Sequence, residues 1–166
     1  MSRGFVKESD QEELPLIPLR APLPAGAINY VTPAGFATLE QEQRDLEAEK
    51  AAISTAHEAE YRRAATVIDG KLALLNQRIH SARVLRLEDQ PQEEVRFGAT
   101  VRLRMGAGGP EKTFQIVGVD EANIKAGKLA FTAPLAKVIT GLWVNETVAF
   151  RMAGQLKDLT VLAISY

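Results

Sequence analysis

Between Phe36 and Ala82 the chain carries two runs of heptad-spaced apolar residues that stop and restart around Ser54-Thr55-Ala56-His57-Glu58. In the first run Phe36, Leu39, Gln43, Leu46, Lys50 and Ile53 step by three and four, with polar residues at two positions. In the second, Tyr61, Ala65, Ile68, Leu72, Leu75, Ile79 and Ala82 step by four and three without a miss. Such spacing gathers one stripe along a helix, and a stripe must be buried against something. Two striped helices joined by a short break can bury their stripes on each other, so the pattern predicts an antiparallel coiled-coil hairpin over 32–86. Thr32-Pro33 starts the first helix as N-cap and N1, and that helix runs to about Ile53. Thr55 and Glu58 have the spacing of a capping box, which begins a second helix at about Ala56 and leaves an exposed tip near 54–58. The second helix runs to Ala82 or Arg83. Gly70 inside it costs about 1 kcal/mol relative to alanine, which points to close helix packing or a bend.

Charge is unevenly spread over this hairpin. From Pro33 to Ser54 the acids Glu40, Glu42, Asp45, Glu47 and Glu49 face only Arg44 and Lys50. From Ala59 to Arg86 the acids Glu60 and Asp69 face Arg62, Arg63, Lys71, Arg78, Arg83 and Arg86. Cross-helix ion pairs flanking the seam would account for this, as would a basic stripe that guides a nucleic-acid backbone along one side. The whole chain has a net charge of −1, which argues against a free-standing DNA binder and makes any nucleic-acid contact local.

The hairpin is flanked by segments of different character. Residues 1–31 hold Pro15, Pro18, Pro22 and Pro24 and read as an extended tail without regular structure. Residues 87–92 form a linker, after which the period changes to two. Val95, Phe97, Thr100-Val101 and Leu103 lead through a glycine cluster at 106–109 to Thr113–Val117, a β-hairpin. A third strand follows at Lys128–Thr132, a short helix at Pro134–Leu142, and two further strands at Trp143–Met152 and Leu159–Tyr166. This is an α+β domain over 93–166 with a mainly antiparallel sheet. The chain's 166 residues, 46% hydrophobic and 25% charged, suit one such domain with an appendage. No run is apolar enough to span a bilayer and no signal segment is evident, so no membrane role is expected. The absence of cysteine excludes disulfides, thiolate catalysis and zinc–sulfur sites, and fits the cytoplasm.

Few residues offer chemistry. The glycine cluster is followed by a strand where a phosphate cradle needs a helix N-terminus, so it is a turn. His80 flanks the seam. His57 lies at the tip and can share a helix face with Glu60 and Tyr61. Glu58 and Glu60 are two apart, about 200° around a helix, so they cannot jointly grip one ion. Either is a capping or solvated acid, or lends a carboxylate to a hard cation supplied from elsewhere, as Mg²⁺ prefers oxygen ligands. No metal is expected to bind the chain alone. The aromatics Phe97, Phe114, Phe131, Trp143, Phe150 and Tyr166 are spread one per strand, as a packed sheet core needs. They could also line an apolar ligand cleft.

Several segments resemble the Gre family (GreA/GreB) of bacterial transcript-cleavage factors. Phe97-Gly98-Ala99-Thr100-Val101 and Phe114-Gln115-Ile116-Val117-Gly118-Val119-Asp120-Glu121-Ala122 are similar to the family's FGA-V and YRIVG-DEA. Leu129–Leu142 is similar to its LIS--SPLARALLG segment. Ala59-Glu60-Tyr61 and Ile79–Val84 match its AEY and L-NA-V. The resemblance covers roughly 31–166 and omits the tail.

It implies an FKBP-like C-terminal domain that docks on RNA polymerase at the mouth of the secondary channel, with the hairpin extending toward the active site. There a D-x-x-E pair helps hold a second Mg²⁺, shared with the polymerase, which then cuts the 3′ end of backtracked RNA. The factor is an accessory and not itself an enzyme; it has no intrinsic cofactor and is expected to act as a monomer. Carried onto this chain, Glu58 and Glu60 are the metal-assisting acids, and Arg62 and Arg63 contact the nascent RNA 3′ end. Asp120, Glu121, Ala122, Ala133, Pro134 and Lys137 face the polymerase. In this chain Thr55 stands at the Asp of D-x-x-E and Glu58 at the Glu, with one residue deleted before Ala59. The alternative register gives Ser54 and His57, and neither supplies the first acid. The hairpin is also shorter than the family's. Three other readings fit the residues: a Gre-like occupant of the channel without cleavage activity, an FKBP-like prolyl isomerase with a helical appendage, and a plain coiled-coil interaction module.

Overall fold

The computed structural model describes residues 13–166. Two helices form an arm: α1 spans Pro33–Ala51 and α2 spans Glu58–Ser81. Thr32 caps α1 with extended backbone, and its Oγ1 accepts the Gly35 N–H at 2.9 Å. Pro33 sits in the first turn, where no donor is needed. At about 1.5 Å per residue the two helices are about 28 and 36 Å long. Leu39 and Leu46 bury against Ile68 and Leu75, with Phe36, Ile53, Leu72, Ile79 and Ala82 packed around them. Both polar interruptions of the first stripe meet polar partners. Gln43 Nε2 donates to Asn76 Oδ1 at 2.8 Å, and one heptad on Lys50 Nζ donates to Asp69 Oδ1 at 2.6 Å. Partner numbers fall as α1 numbers rise, so the helices run antiparallel.

The body is a five-stranded sheet with its own core, so the chain is α+β. Its strands are β3 (Thr100–Met105), β4 (Glu111–Val117), β5 (Lys128–Ala130), β6 (Thr147–Met152) and β7 (Gln155–Ser165), in the order β5-β4-β3-β7-β6. All neighbours are antiparallel except β4 and β5. Alternation in β3 shows the physics: Val101, Leu103 and Met105 are buried, while Thr100, Arg102 and Arg104 are not. The inward residues meet Ile116, Leu129, Leu159 and Val161, and α3 (Pro134–Ile139) covers them with Ala136 and Ile139.

Several expectations are corrected. Residues 29–31 are not tail: Asn29–Val31 is a strand, β1, that pairs in parallel with β2 (Ala82–Val84) at the base of the arm. Such pairing joins segments that meet only once both helices are formed, so no local pattern announces it. The capping box does not form. α2 starts at Glu58 with His57 as N-cap, which moves Glu58 from the third helical position to the first. Ser54 Oγ instead accepts the Ala56 N–H at 3.3 Å. Cross-helix ion pairing explains little of the charge asymmetry. Among the described residues one such pair crosses the seam, Lys50–Asp69, with the base on α1. Trp143 is not in the sheet core: it is 51% exposed, in a turn before β6 where Glu146 Oε2 accepts its N–H at 2.8 Å. β6 therefore starts at Thr147, and β7 starts early, after a turn in which Ala153 and Gly154 both have positive φ.

Because the two cores are separate, each should report on its own element. Leu75→Ala empties a fully buried site in the arm and should cost about 2–5 kcal/mol by urea denaturation. Amide exchange should quicken in α1 and α2 before it does in β3. Leu103→Ala should give the reverse order of exchange.

Candidate functional site

The tip is built from a helix end, a short link and a helix start. The Ala52 N–H closes α1 onto the carbonyls of Ala48 and Glu49 at 3.1 and 3.2 Å, and the Ile53 side chain turns back into the arm core. Ser54, Thr55, Ala56 and His57 are all exposed. Glu58 and Glu60 open α2, where carboxylates complement the unpaired N–H groups of a helix start. Glu58 Oε1 lies 3.1 Å from Arg62 Nη2, with the two side chains 87% and 62% exposed. Glu60 and Arg63 are exposed, and Arg63 has no ion-pair partner among the described residues. Four of the residues singled out in the sequence thus share the first two turns of α2. Among the described residues no group of three or more His, Asp or Glu side chains converges as a metal cage. Just below, the Lys50 ammonium is held above the ordinary lysine range by its hydrogen bond to Asp69.

The positions expected to face a partner on the body separate into two groups. Asp120 and Glu121 are spent inside the molecule, their side chains about 10% exposed or less. Glu121 Oε2 accepts from Thr32 Oγ1 at 2.5 Å and its Oε1 receives Lys128 Nζ at 3.0 Å, which ties the start of α1 to the sheet. Asp120 takes Arg20 and Arg78. Of residues 120–122 only Ala122 is exposed. Ala133, Pro134 and Lys137 sit together on α3, as its N-cap, first residue and exposed base.

Lys137 also borders a hollow of about 460 Å³ lined by Tyr30, Phe97, Phe131, Arg96 and Thr140. The three rings form a closed set, with centroids 5.7–5.8 Å apart and tilted or edge-on pairings. Sequence reasoning missed this grouping. Phe97 and Phe131 were visible as strand aromatics, but Tyr30 joins them only through the parallel pairing of β1.

A family model described as "Transcription elongation factor, GreA/GreB, C-term" matches residues 90–166. Transcription elongation factor GreA of Acidiphilium cryptum is 34% identical over 151 residues, covering 82% of this chain and 96% of the relative. The chain belongs to the GreA/GreB family. The corresponding factor of Methylobacterium nodulans is 32% identical over the same shares. Among solved structures, the GreA/GreB factor of Nitrosomonas europaea covers 82% of this chain and 98% of its own at 18% identity, with a TM-score of 0.43, a likeness too slight to build on. The family assignment spans arm and body. No helix of the described residues is long and apolar enough to cross a membrane.

The two ends of the arm should respond differently to substitution. Glu58→Gln breaks an exposed pair and removes one charge from an exposed helix start, and should shift the circular-dichroism melt only slightly. Thr32→Ala removes a buried cap and the donor to Glu121, and should lower urea stability by about 1–2 kcal/mol.

Proposed function

We propose that this GreA/GreB-family chain binds bacterial RNA polymerase through its sheet body and regulates elongation by placing the arm in the secondary channel. The reading is carried by one observation. An exposed tip that bears Glu58, Glu60, Arg62 and Arg63 stands at the end of a self-packed arm, while the body keeps a separate aromatic hollow. Beyond Val31 of β1 at its base the arm needs no other element to bury its stripe, so it can enter a slot without exposing a core. The names of the relatives support the elongation role.

In this proposal the hollow of Tyr30, Phe97 and Phe131, with Lys137 and the exposed start of α3 beside it, is the docking face. Asp120 and Glu121 instead hold the arm to the body through Arg20, Arg78 and Thr32. Arg62 and Arg63 lie where they can meet the phosphates of an RNA 3′ end. Lys71, Arg83 and Arg86 further along the chain have no ion-pair partner among the described residues. The chain acts as an accessory: hydrolysis of the RNA phosphodiester belongs to the polymerase, and Glu58, with Glu60 second, lends a carboxylate to its Mg²⁺.

A second reading is favoured by Thr55. A threonine at the place of the family's first tip acid brings no negative charge to a metal, which suits occupancy of the channel without cleavage. The alignment with the Acidiphilium relative is 151 positions long yet draws on only 82% of the 166 residues, so the relative has residues that this chain lacks.

Stalled, backtracked elongation complexes separate the two. Shortened RNA with the wild-type chain, lost in Glu58→Ala, supports assisted cleavage. No shortening, together with inhibition of an active Gre factor, supports the occupant. Failure of either to reach the polymerase would refute both. Docking is tested by Phe131→Ala with Lys137→Glu, expected to weaken binding to the core polymerase on the order of tenfold or more, the effect of losing an interface anchor.

A further inference from the structure

Between Glu13 and Ala21 the tail meets the arm at intervals, with Pro15, Ile17 and Arg20 half-buried while Leu14, Leu16 and Leu19 stay 88–92% exposed. Glu13, Leu14 and Pro15 lie across a cavity of about 420 Å³ from Ala59, Glu60, Arg62 and Arg63, close to the tip. Ile17 seats on Gly70, where a Cβ would collide with its Cδ1. The Ala21 carbonyl accepts from Arg78 Nη2 near the base. Tail and helix numbers rise together, so the segment runs beside α2 from tip to base. The lengths agree: the eight extended steps from Glu13 to Ala21 cover about 25 Å at about 3.1 Å each, and Arg62 to Arg78 covers about 24 Å of helix.

The lower end is a four-way ionic knot. Arg20 donates from both terminal nitrogens to Glu42 of α1, at 2.8 and 3.0 Å, and from Nε to Asp120 of the body at 2.9 Å. Asp120 also holds Arg78 of α2 at 3.6 Å. The side chains of Arg20, Arg78 and Asp120 are 18%, 14% and 10% exposed. Strap, both helices and body meet there through two bases and two acids.

We propose that residues 13–24 are a splint that fixes the direction of the arm, with Arg20 as its positioning residue. Two helices that pack chiefly on each other can pivot on the body as a unit. The splint opposes pivoting because it is fastened to both helices and to the loop after β4 at once. Pro15, Pro18, Pro22 and Pro24 keep the free strap extended, so little entropy is lost when it seats. This role stands whichever partner receives the arm.

The absence of cysteine allows a direct measurement on the full chain. Spin labels on Thr55→Cys at the tip and Lys157→Cys on the exposed face of β7 report the arm–body distance by double electron–electron resonance. The wild-type background should give a narrow distribution, and Arg20→Ala a clearly broader one with unchanged helicity. Glu42→Gln is the milder variant if Arg20→Ala does not fold. Gly70→Val attacks the splint far from the knot by displacing Ile17, and should broaden the distribution as well. Trypsin should cut after Arg20 on the order of tenfold faster in Asp120→Asn than in wild type, as opening of the strap becomes more populated. An unchanged distance distribution in Arg20→Ala (or in Glu42→Gln, where that is the variant read) and in Gly70→Val overturns the proposal. So does faster cleavage without broadening, since the strap would then be held but would not steer.

Discussion

An antiparallel helix pair satisfies its apolar stripes internally and so keeps almost nothing with which to orient itself against the rest of the chain. Everything that depends on the direction of this arm therefore rests on its base. That base is polar. Thr32 accepts the Gly35 N–H and donates to Glu121, so one hydroxyl both starts α1 and moors it to the sheet. β1 and β2 add a short parallel pair at the points where the chain enters and leaves the arm. Asp120 gathers two arginines whose remaining charge is answered by Glu42. Partly buried charges are costly unless mutually paired, and a neutral cluster with good geometry turns that cost into a defined position.

The tip follows the opposite rule. Glu58, Glu60, Arg62 and Arg63 contribute little to stability at their exposure, and an exposed pair such as Glu58–Arg62 competes with water at every moment. A chain selected for stability alone would gain nothing from two acids and two bases at the end of a long arm. The separation of cores makes the arrangement tolerable, since loss of a contact at the tip is not transmitted to the sheet. Residues that carry little of the fold are free to carry an encounter.

Much of this was legible in the sequence because it is periodic. The heptads gave both helices, their antiparallel packing and even the two polar steps, Gln43 and Lys50, which turn out to face Asn76 and Asp69. The change to period two gave the sheet. What escaped was non-local. Gly70 was flagged as a close approach, but the neighbour is Ile17 of the strap and no helix. Asp120 and Glu121 matched a surface motif, and only the fold shows both carboxylates turned inward. Tyr30 carries no signal until β1 sets it between Phe97 and Phe131. The early start of β7 depends on Ala153 at φ +48°, a conformation alanine does not advertise.

The same contrast bears on the proposed lending of one carboxylate, Glu58, to an ion of the polymerase. A pair of acids tolerates some error in placement, since either can close on an ion. A single acid must be delivered correctly, and misplacement by about 1 Å can cost about a hundredfold in rate. Glu58 and Glu60 open one helix but diverge around it, so they do not restore a pair. If the arm enters the channel as proposed, its accuracy is then set by the stiffness of its mount more than by ligand number. A splint anchored to both helices and to the body supplies that stiffness from outside the helical seam. Should the chain act only as an occupant, the same rigidity lowers the entropy lost on insertion.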